Sequence, residues 1–193
     1  MAAPTPDTEF CRSTIPSPIG DLLLVTSNAG LLRLAFSNED WDHEIERLTV
    51  ALSPTGVAPS ECGSASGRRR ADGAAGLMDT ARSELTGYFA GRLRSFETPL
   101  DLRLVKGFRR QVVEHLRRIP YGRTESYAEV ARAVDNPKAV RAVGSACSHN
   151  PVPIFVPCHR VLTSDGRIGG YLGGLAAKEY LLELEGITVK RPR

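Results

Sequence analysis

Cys158 and His159 stand side by side in Pro157-Cys158-His159-Arg160-Val161, directly after the apolar run Val152-Pro153-Ile154-Phe155-Val156. A buried cysteine is ordinarily an inert small hydrophobe, whereas a neighbouring imidazole helps make the thiolate, the form that attacks electrophiles. Adjacent residues of an extended strand point to opposite faces, so this pair needs a turn or a bridging water to cooperate. Two readings stand at this point, a reactive thiol and a structural cysteine beside an incidental histidine. A third group joins them from further along. Glu183 and Glu185 fall in the last turn of the helix predicted over 175–185, where acidic groups oppose the helix dipole; such violations often mark functional positions, the other reading being solvent-exposed glutamates at little cost, which suits Glu183 as well. Thiol, imidazole and carboxylate together have the logic of an activated nucleophile, with the base taking the thiol proton and the acid fixing the imidazole tautomer.

Bulk properties limit the setting. The 193 residues suffice for one ordinary domain or two small ones, and 41% hydrophobic with 24% charged residues is globular composition. Met1 to Asp7 lacks the basic start and apolar core of an export signal, and no apolar run reaches membrane-spanning length. A soluble, intracellular protein is expected. Cys11, Cys62, Cys147 and Cys158 show no Cys-x-x-Cys pair and no matching histidine spacing, which argues against zinc and leaves a set of free thiols as the expectation. Charge is uneven. Residues 1–100 carry 9 Lys and Arg against 13 Asp and Glu, but residues 101–160 carry 11 against 5. A basic middle segment is the footprint of a polyanion-binding module or a clustered solvated surface.

The elements that must position these groups follow from pattern. Asp21–Thr26 and Leu31–Phe36 read as strands of a hairpin joined by Ser27-Asn28-Ala29-Gly30. Trp41, Ile45, Leu48 and Leu52 have helical spacing after a capping candidate, Asn38, and Leu77, Ala81, Leu85 and Tyr88 mark a second helix. Between them, 53–76 is rich in small residues, contains Arg68-Arg69-Arg70 and reads as a basic mobile loop. The alternation Phe96, Thr98, Leu100, Leu102, Leu104 predicts a strand. From Gly107 onward the pattern is helical. Ser126-Tyr127-Ala128-Glu129 is a capping box opening a helix to about Val134, and Asn136-Pro137 predicts the start of another, with Asn136 as N-cap. His149-Asn150-Pro151 ends it, and Gly186 stops the final helix. Two short helices with Lys138 and Arg141 on the second form a helix-turn-helix candidate or an ordinary helical hairpin. The chain therefore divides into a small α/β part, 1–104, and a mostly helical part, 105–193.

The run Asn150 to Val161 resembles the active-site signature of the O6-alkylguanine-DNA alkyltransferases, the methylated-DNA–protein-cysteine methyltransferases. Ile119-Pro120-Tyr121-Gly122, Ser126-Tyr127, Asn136-Pro137-Lys138-Ala139, Arg141-Ala142-Val143-Gly144, Gly170-Tyr171 with Gly173-Gly174, and Lys178 through Gly186 follow in family order. Ser17-Pro18-Ile19-Gly20 and its hairpin are similar to the family's first domain. The likeness is dense over 105–187 and looser over 12–104.

The resemblance implies a two-domain α/β fold: a ribonuclease-H-like small sheet with helices, then a helical domain with the helix-turn-helix. It implies repair by direct reversal, with O6-alkylguanine flipped from duplex DNA and its alkyl group moved irreversibly to Cys158, once per molecule; activity on O4-alkylthymine is left open. His159 would deprotonate Cys158 through a water, Glu185 would orient His159, Asn150 would brace the active-site turn, and Tyr171 would protonate the leaving guanine. The second helix would enter the minor groove. Ala139, Ala142 and Gly144 would allow close approach, Arg141 would fill the gap left by the base, Tyr127 would crowd the 3′ phosphate, and Asn136 and Ser164 would meet the backbone. Cys147, Val161 and Leu172 would line the alkylguanine pocket. Leu172 stands where some relatives carry a small or hydroxyl residue, Val113 where tryptophan is frequent, and Arg123 where an acid is common. Relatives that hold zinc in the first domain have ligands where this chain has Thr8, Ser27 and Leu32, so no metal is expected, and no organic cofactor. A monomer acting on double-stranded DNA without membrane contact is expected, cytoplasmic and nucleoid-associated in a bacterium or nuclear in a eukaryote. The competing reading is a non-reacting lesion-binding protein that recruits other repair factors.

Overall fold

The computed structural model describes residues 10–52, 59–62 and 73–189. Two compact units emerge, one from residues up to 87 with Glu97–Asp101, the other from Tyr88–Phe96 with the chain from Leu102 onward.

The first unit is built on β1 (Phe10–Ile15), β2 (Leu22–Ser27) and β3 (Gly30–Phe36), with a two-residue β4 (Ser60–Glu61), in the order β3-β2-β1-β4. The β2–β3 hairpin is antiparallel, with Leu24 opposite Leu34, as the sequence predicts. Both strands are buried along their whole length, so Leu22-Leu23-Leu24-Val25 is a continuous apolar run instead of an alternating one. Leu23, Val25, Leu32 and Ala35 pack with Ile45 and Leu48 of α1 (Trp41–Leu52). The cap of α1 is Asp40, whose Oδ1 accepts from His43 N at 3.1 Å, and not Asn38. The second predicted helix is α2 (Ala74–Phe89).

Three expectations change. The alternation from Phe96 to Leu104 makes only an isolated bridge, Leu31 to Leu100. Pro99 has no N–H to give a ladder, and the chain turns at Arg103-Leu104. Of the segment 53–76, Ser60-Glu61 forms β4 and Ala74 already belongs to α2; Arg68-Arg69-Arg70 and Thr8 lie outside the described residues. Finally, the thiols are not all free. The parallel β1–β4 pairing sets Cys11 opposite Ser60 and so brings Cys62 alongside, bonded to Cys11 with Cα atoms 5.5 Å apart. Cys147 and Cys158 are free and buried.

The second unit contains α3 (Gly107–Leu116), β5 (Glu125–Ser126), α4 (Tyr127–Ala133), α5 (Val140–Ser148), β6 (Val161–Leu162) and α6 (Gly174–Leu184). The capping box is present, with Ser126 Oγ accepting from Glu129 N and the Glu129 carboxylate accepting from Ser126 N. The second helix of the pair starts at Val140 and not at Asn136. Asp135 takes the left-handed conformation (φ 55°), its N–H donates to Arg132 O, and Asn136 N–H donates to Ala131 O. These bonds form a Schellman-type stop, so Asn136 closes α4 instead of opening α5. One face of α5 buries Val143, Ala146 and Cys147; Arg141, Ala142 and Ser145 are exposed. No helix among the described residues is long and apolar enough to cross a membrane.

Candidate active site

Cys158-His159-Arg160 forms a single 3₁₀ turn, closed by Arg160 N–H donating to Pro157 O at 3.0 Å. The turn, and not a strand, releases Cys158 and His159 from the opposite-face constraint. Immediately after it, β6 pairs in parallel with β5, Glu125 opposite Val161 and Ser126 opposite Leu162. The residues that open the helix-turn-helix are thereby hydrogen-bonded to those that follow the Cys-His pair.

The apolar run before Cys158 is a tight turn in which Val156 N–H donates to Val152 O at 2.9 Å. Ile154, a β-branched residue, sits at φ 75°, a conformation that costs about 1–3 kcal/mol. Asn150 holds this turn at both ends. Its Nδ2 donates to Val156 O at 2.8 Å and its Oδ1 accepts from Val152 N at 3.2 Å. The same Nδ2 donates to Cys158 Sγ at 3.1 Å. Asn150 thereby links the tight turn directly to the thiol.

Cys158 is 2% exposed. Burial raises its pKa, opposed by the Asn150 hydrogen bond and the nearby Lys178 charge. The resting group is therefore the thiol. His159 is fully buried; its Nε2 meets Glu185 Oε1 at 2.9 Å, and Nδ1 has no hydrogen-bond partner among the described residues. Burial lowers the imidazole pKa, against the attraction of Glu185. With Glu185 ionised, Nε2 must carry the hydrogen and Nδ1 the lone pair.

Glu185 caps α6, and Gly186 in the left-handed region (φ 75°) ends the helix as predicted. The acid at this helix end is offset by donors. Arg160 Nε reaches Oε2 and Nη2 reaches Oε1, each at 2.9 Å; Gly122 N–H reaches Oε2 at 3.2 Å and Tyr88 O–H reaches Oε1 at 2.7 Å. Burial alone would raise this carboxyl, but the hydrogen bonds from His159 and Arg160 and the charge of Arg160 outweigh it and hold the pKa at about 2. Arg160 also donates to Ile119 O at 2.6 Å.

Tyr171 meets the His159 ring edge-on with centroids 6.4 Å apart. Cys147 O accepts from Asn150 N at 3.3 Å, so both free cysteines adjoin Asn150. Burial raises the Cys147 thiol as well. Val161 is buried and Leu172 half-buried. Tyr127, half-buried, has its phenol pushed up to about 12 by burial and packs against Gly169, where an added Cβ would lie 2.8 Å from its hydroxyl. Arg141, Ala142 and Asn136 are exposed, Ala139 and Gly144 half-buried, and Ser164 is exposed after β6. Among the described residues, no group of three or more His, Cys, Asp or Glu is placed to hold a metal ion.

Three residues of the site carry no role in the sequence reading: Arg160, Lys178 and Tyr88. Lys178 is buried, its Nζ donating to Val161 O at 2.6 Å. The helical wheel carries its signal, because Lys178 shares the buried stripe of α6 with Ala177, Leu181 and Leu182. Arg160 lies between His159 and the apolar Val161-Leu162, where a charge needs a partner. Nothing local marks Tyr88, 97 residues from its carboxylate.

Comparison with known proteins identifies the family. Residues 107–187 match the family model of the 6-O-methylguanine DNA methyltransferase DNA-binding domain, and residues 11–102 that of its ribonuclease-like domain. The constitutive methylated-DNA–protein-cysteine methyltransferase of Bacillus subtilis is 36% identical, covering 92% of this chain and 96% of the relative. The Mycobacterium tuberculosis methylated-DNA–protein-cysteine methyltransferase is 40% identical over 89% of this chain and 90% of its own. The M. tuberculosis OGT solved in complex with DNA is similar in fold, with a TM-score of 0.71 at 37% identity and 92% coverage of both chains. The sheet unit and the helical unit with its helix-turn-helix define the class, a two-domain α/β fold of the 6-O-methylguanine DNA methyltransferase type. The chain belongs to the 6-O-methylguanine DNA methyltransferase family.

Proposed function

We propose that this protein reverses O6-alkylguanine in duplex DNA by moving the alkyl group to Cys158. The observation that carries the reading is the pair of contacts on the 3₁₀ turn, Asn150 Nδ2 on Cys158 Sγ at 3.1 Å and Glu185 on His159 Nε2 at 2.9 Å. Together they leave His159 Nδ1 as a lone pair beside a thiol that is neutral at rest.

An alkylated O6 lies inside the base stack, so the nucleotide must be extruded before Cys158 reaches it. The second helix, α5, would enter the minor groove, where Ala142 and Gly144 would keep it slim and the exposed Arg141 would fill the vacated stack. Tyr127 would crowd the 3′ phosphate, Asn136 and Ser164 would contact the backbone, and Ala139 would allow close approach. In the pocket, the thiol proton passes through a water to His159 Nδ1, and Glu185 stabilises the imidazolium. Sulfur attacks the alkyl carbon, the S–C bond forms as the C–O6 bond breaks, and the electron pair leaves on guanine. Tyr171 supplies a proton to the departing base and recovers one from solvent. Cys147, Val161 and Leu172 form the wall that admits the alkyl group. The thioether product is stable, so each molecule reacts once.

Intact-protein mass spectrometry after incubation with an O6-methylguanine oligonucleotide tests this. One methyl group per protein, mapped to Cys158 and absent from Cys158→Ala, is expected. Lesion binding without any mass change would overturn transfer and favour the non-reacting lesion sensor.

A further inference from the structure

Tyr88 is a buried polar group that the proposed chemistry does not use. It lies in the last turn of α2, is 0% exposed, and its ring lies among Phe89, Phe96 and Tyr121, with centroids 5.6, 5.3 and 6.2 Å away. Phenylalanine would fill such a site equally well, and a buried hydroxyl is costly without a partner. Its partner is Glu185 Oε1 at 2.7 Å, the same oxygen that holds His159 Nε2.

We infer that Tyr88 is a positioning residue for alkyl transfer, its hydroxyl fixing the carboxylate of Glu185 and tempering the pull of that carboxylate on His159. This rests on the transfer reading above. Arg160 and Gly122 anchor Oε2, and Arg160 also reaches Oε1, so the direction in which Oε1 presents its remaining electron density is shared between Tyr88 and His159. A carboxylate already satisfied by a phenol is a weaker acceptor for Nε2–H, and His159 stays a neutral base instead of a standing imidazolium. Burial and the Glu185 charge push the ionisation of Tyr88 upward, so its hydroxyl remains a donor at every working pH. The other titratable or charged groups around the pair are Arg160 of the 3₁₀ turn, Lys178 of α6, Tyr121 of the Pro-Tyr-Gly turn, Tyr171 and Cys158. Tyr88→Phe changes none of them.

The test is single-turnover methyl transfer from an O6-methylguanine duplex as a function of pH, for the wild type, Y88F, E185Q and the double variant. In Y88F, Glu185 Oε1 has one donor fewer and draws His159 toward its charged form, so the acid limb of the rate profile should move up by about 0.5 pH unit. Loss of the fixed Glu185 orientation, together with that shift, should lower the rate at neutral pH roughly three- to tenfold. In the E185Q background the same change should alter the rate less than about twofold, because the mediator is gone. Histidine NMR titration reads the same coupling without substrate, with the His159 pKa expected to rise in Y88F. An unmoved His159 titration, or equal losses in both backgrounds, would show that Tyr88 only packs. A wild type that transfers nothing would sink the transfer reading, and the NMR shift would still decide whether Tyr88 governs His159.

Discussion

Arg160 grips Glu185 with two nitrogens, Nε on Oε2 and Nη2 on Oε1, both at 2.9 Å, with neither side chain more than 7% exposed. A two-pronged guanidinium on a carboxylate is among the strong polar contacts of protein side chains, charge-assisted and fixed in geometry. Its role here is electrostatic as well as geometric, since it cancels the charge that would otherwise keep His159 protonated.

Breaking that pair leaves a buried carboxylate without its counter-ion. Arg160→Met should therefore destabilise the protein by about 3–5 kcal/mol, read from urea unfolding, because one partner of a buried ion pair has been removed. A loss below about 1 kcal/mol would mean that water replaces the guanidinium.

The depressed Glu185 pKa makes a prediction with a definite sign. A carboxyl whose folded pKa lies below its unfolded value stabilises the fold above the unfolded value and loses that contribution as pH falls toward the folded one. For Glu185 the window runs from the ordinary 4.5 down to about 2, and the contribution is about 3 kcal/mol. Glu185→Gln should flatten the acid limb of the stability–pH curve within this window and slow transfer without unfolding the protein at neutral pH. An acid limb identical to the wild type would show that Glu185 is not the group titrating.

Asn150 uses its whole amide, on Val156 O, Val152 N and Cys158 Sγ. Asn150→Ala removes all three bonds and leaves Ile154 in its left-handed conformation unsupported. A loss of about 2–4 kcal/mol in chemical denaturation is expected, together with slower transfer, because a donor that favours the thiolate is gone. Full transfer rate in a destabilised variant would confine Asn150 to bracing the turn.

Arg141 projects from the exposed face of α5. Arg141→Ala should slow repair of duplex DNA roughly tenfold more than reaction with free O6-alkylguanine base, since only the duplex needs the extruded nucleotide replaced. Equal losses on both substrates would remove the proposed role.

Much of this site was readable locally. The capping box at Ser126 and Glu129, the stop at Gly186 and the hairpin depend on neighbours within four residues or so, where side chain and backbone meet by short-range rules. Asn136 shows where such rules fail: Asn-Pro reads as a helix start, but the αL residue Asp135 makes it the end of the preceding helix. Cys62 was unreadable for a different reason. Its pairing with Cys11 depends on strand register across 51 residues, which no local pattern encodes.

The sequence by itself determined the chemical inventory: a thiol, an imidazole and a carboxylate in family order, on elements whose ends are written in their own caps. Only the tertiary structure decided how these groups act on one another. The 3₁₀ turn sets Cys158 against Asn150, and folding brings Tyr88, Gly122, His159 and Arg160 onto the single carboxylate of Glu185. Protonation states follow from that convergence, because burial and close partners set a pKa, and both exist only once distant segments have packed.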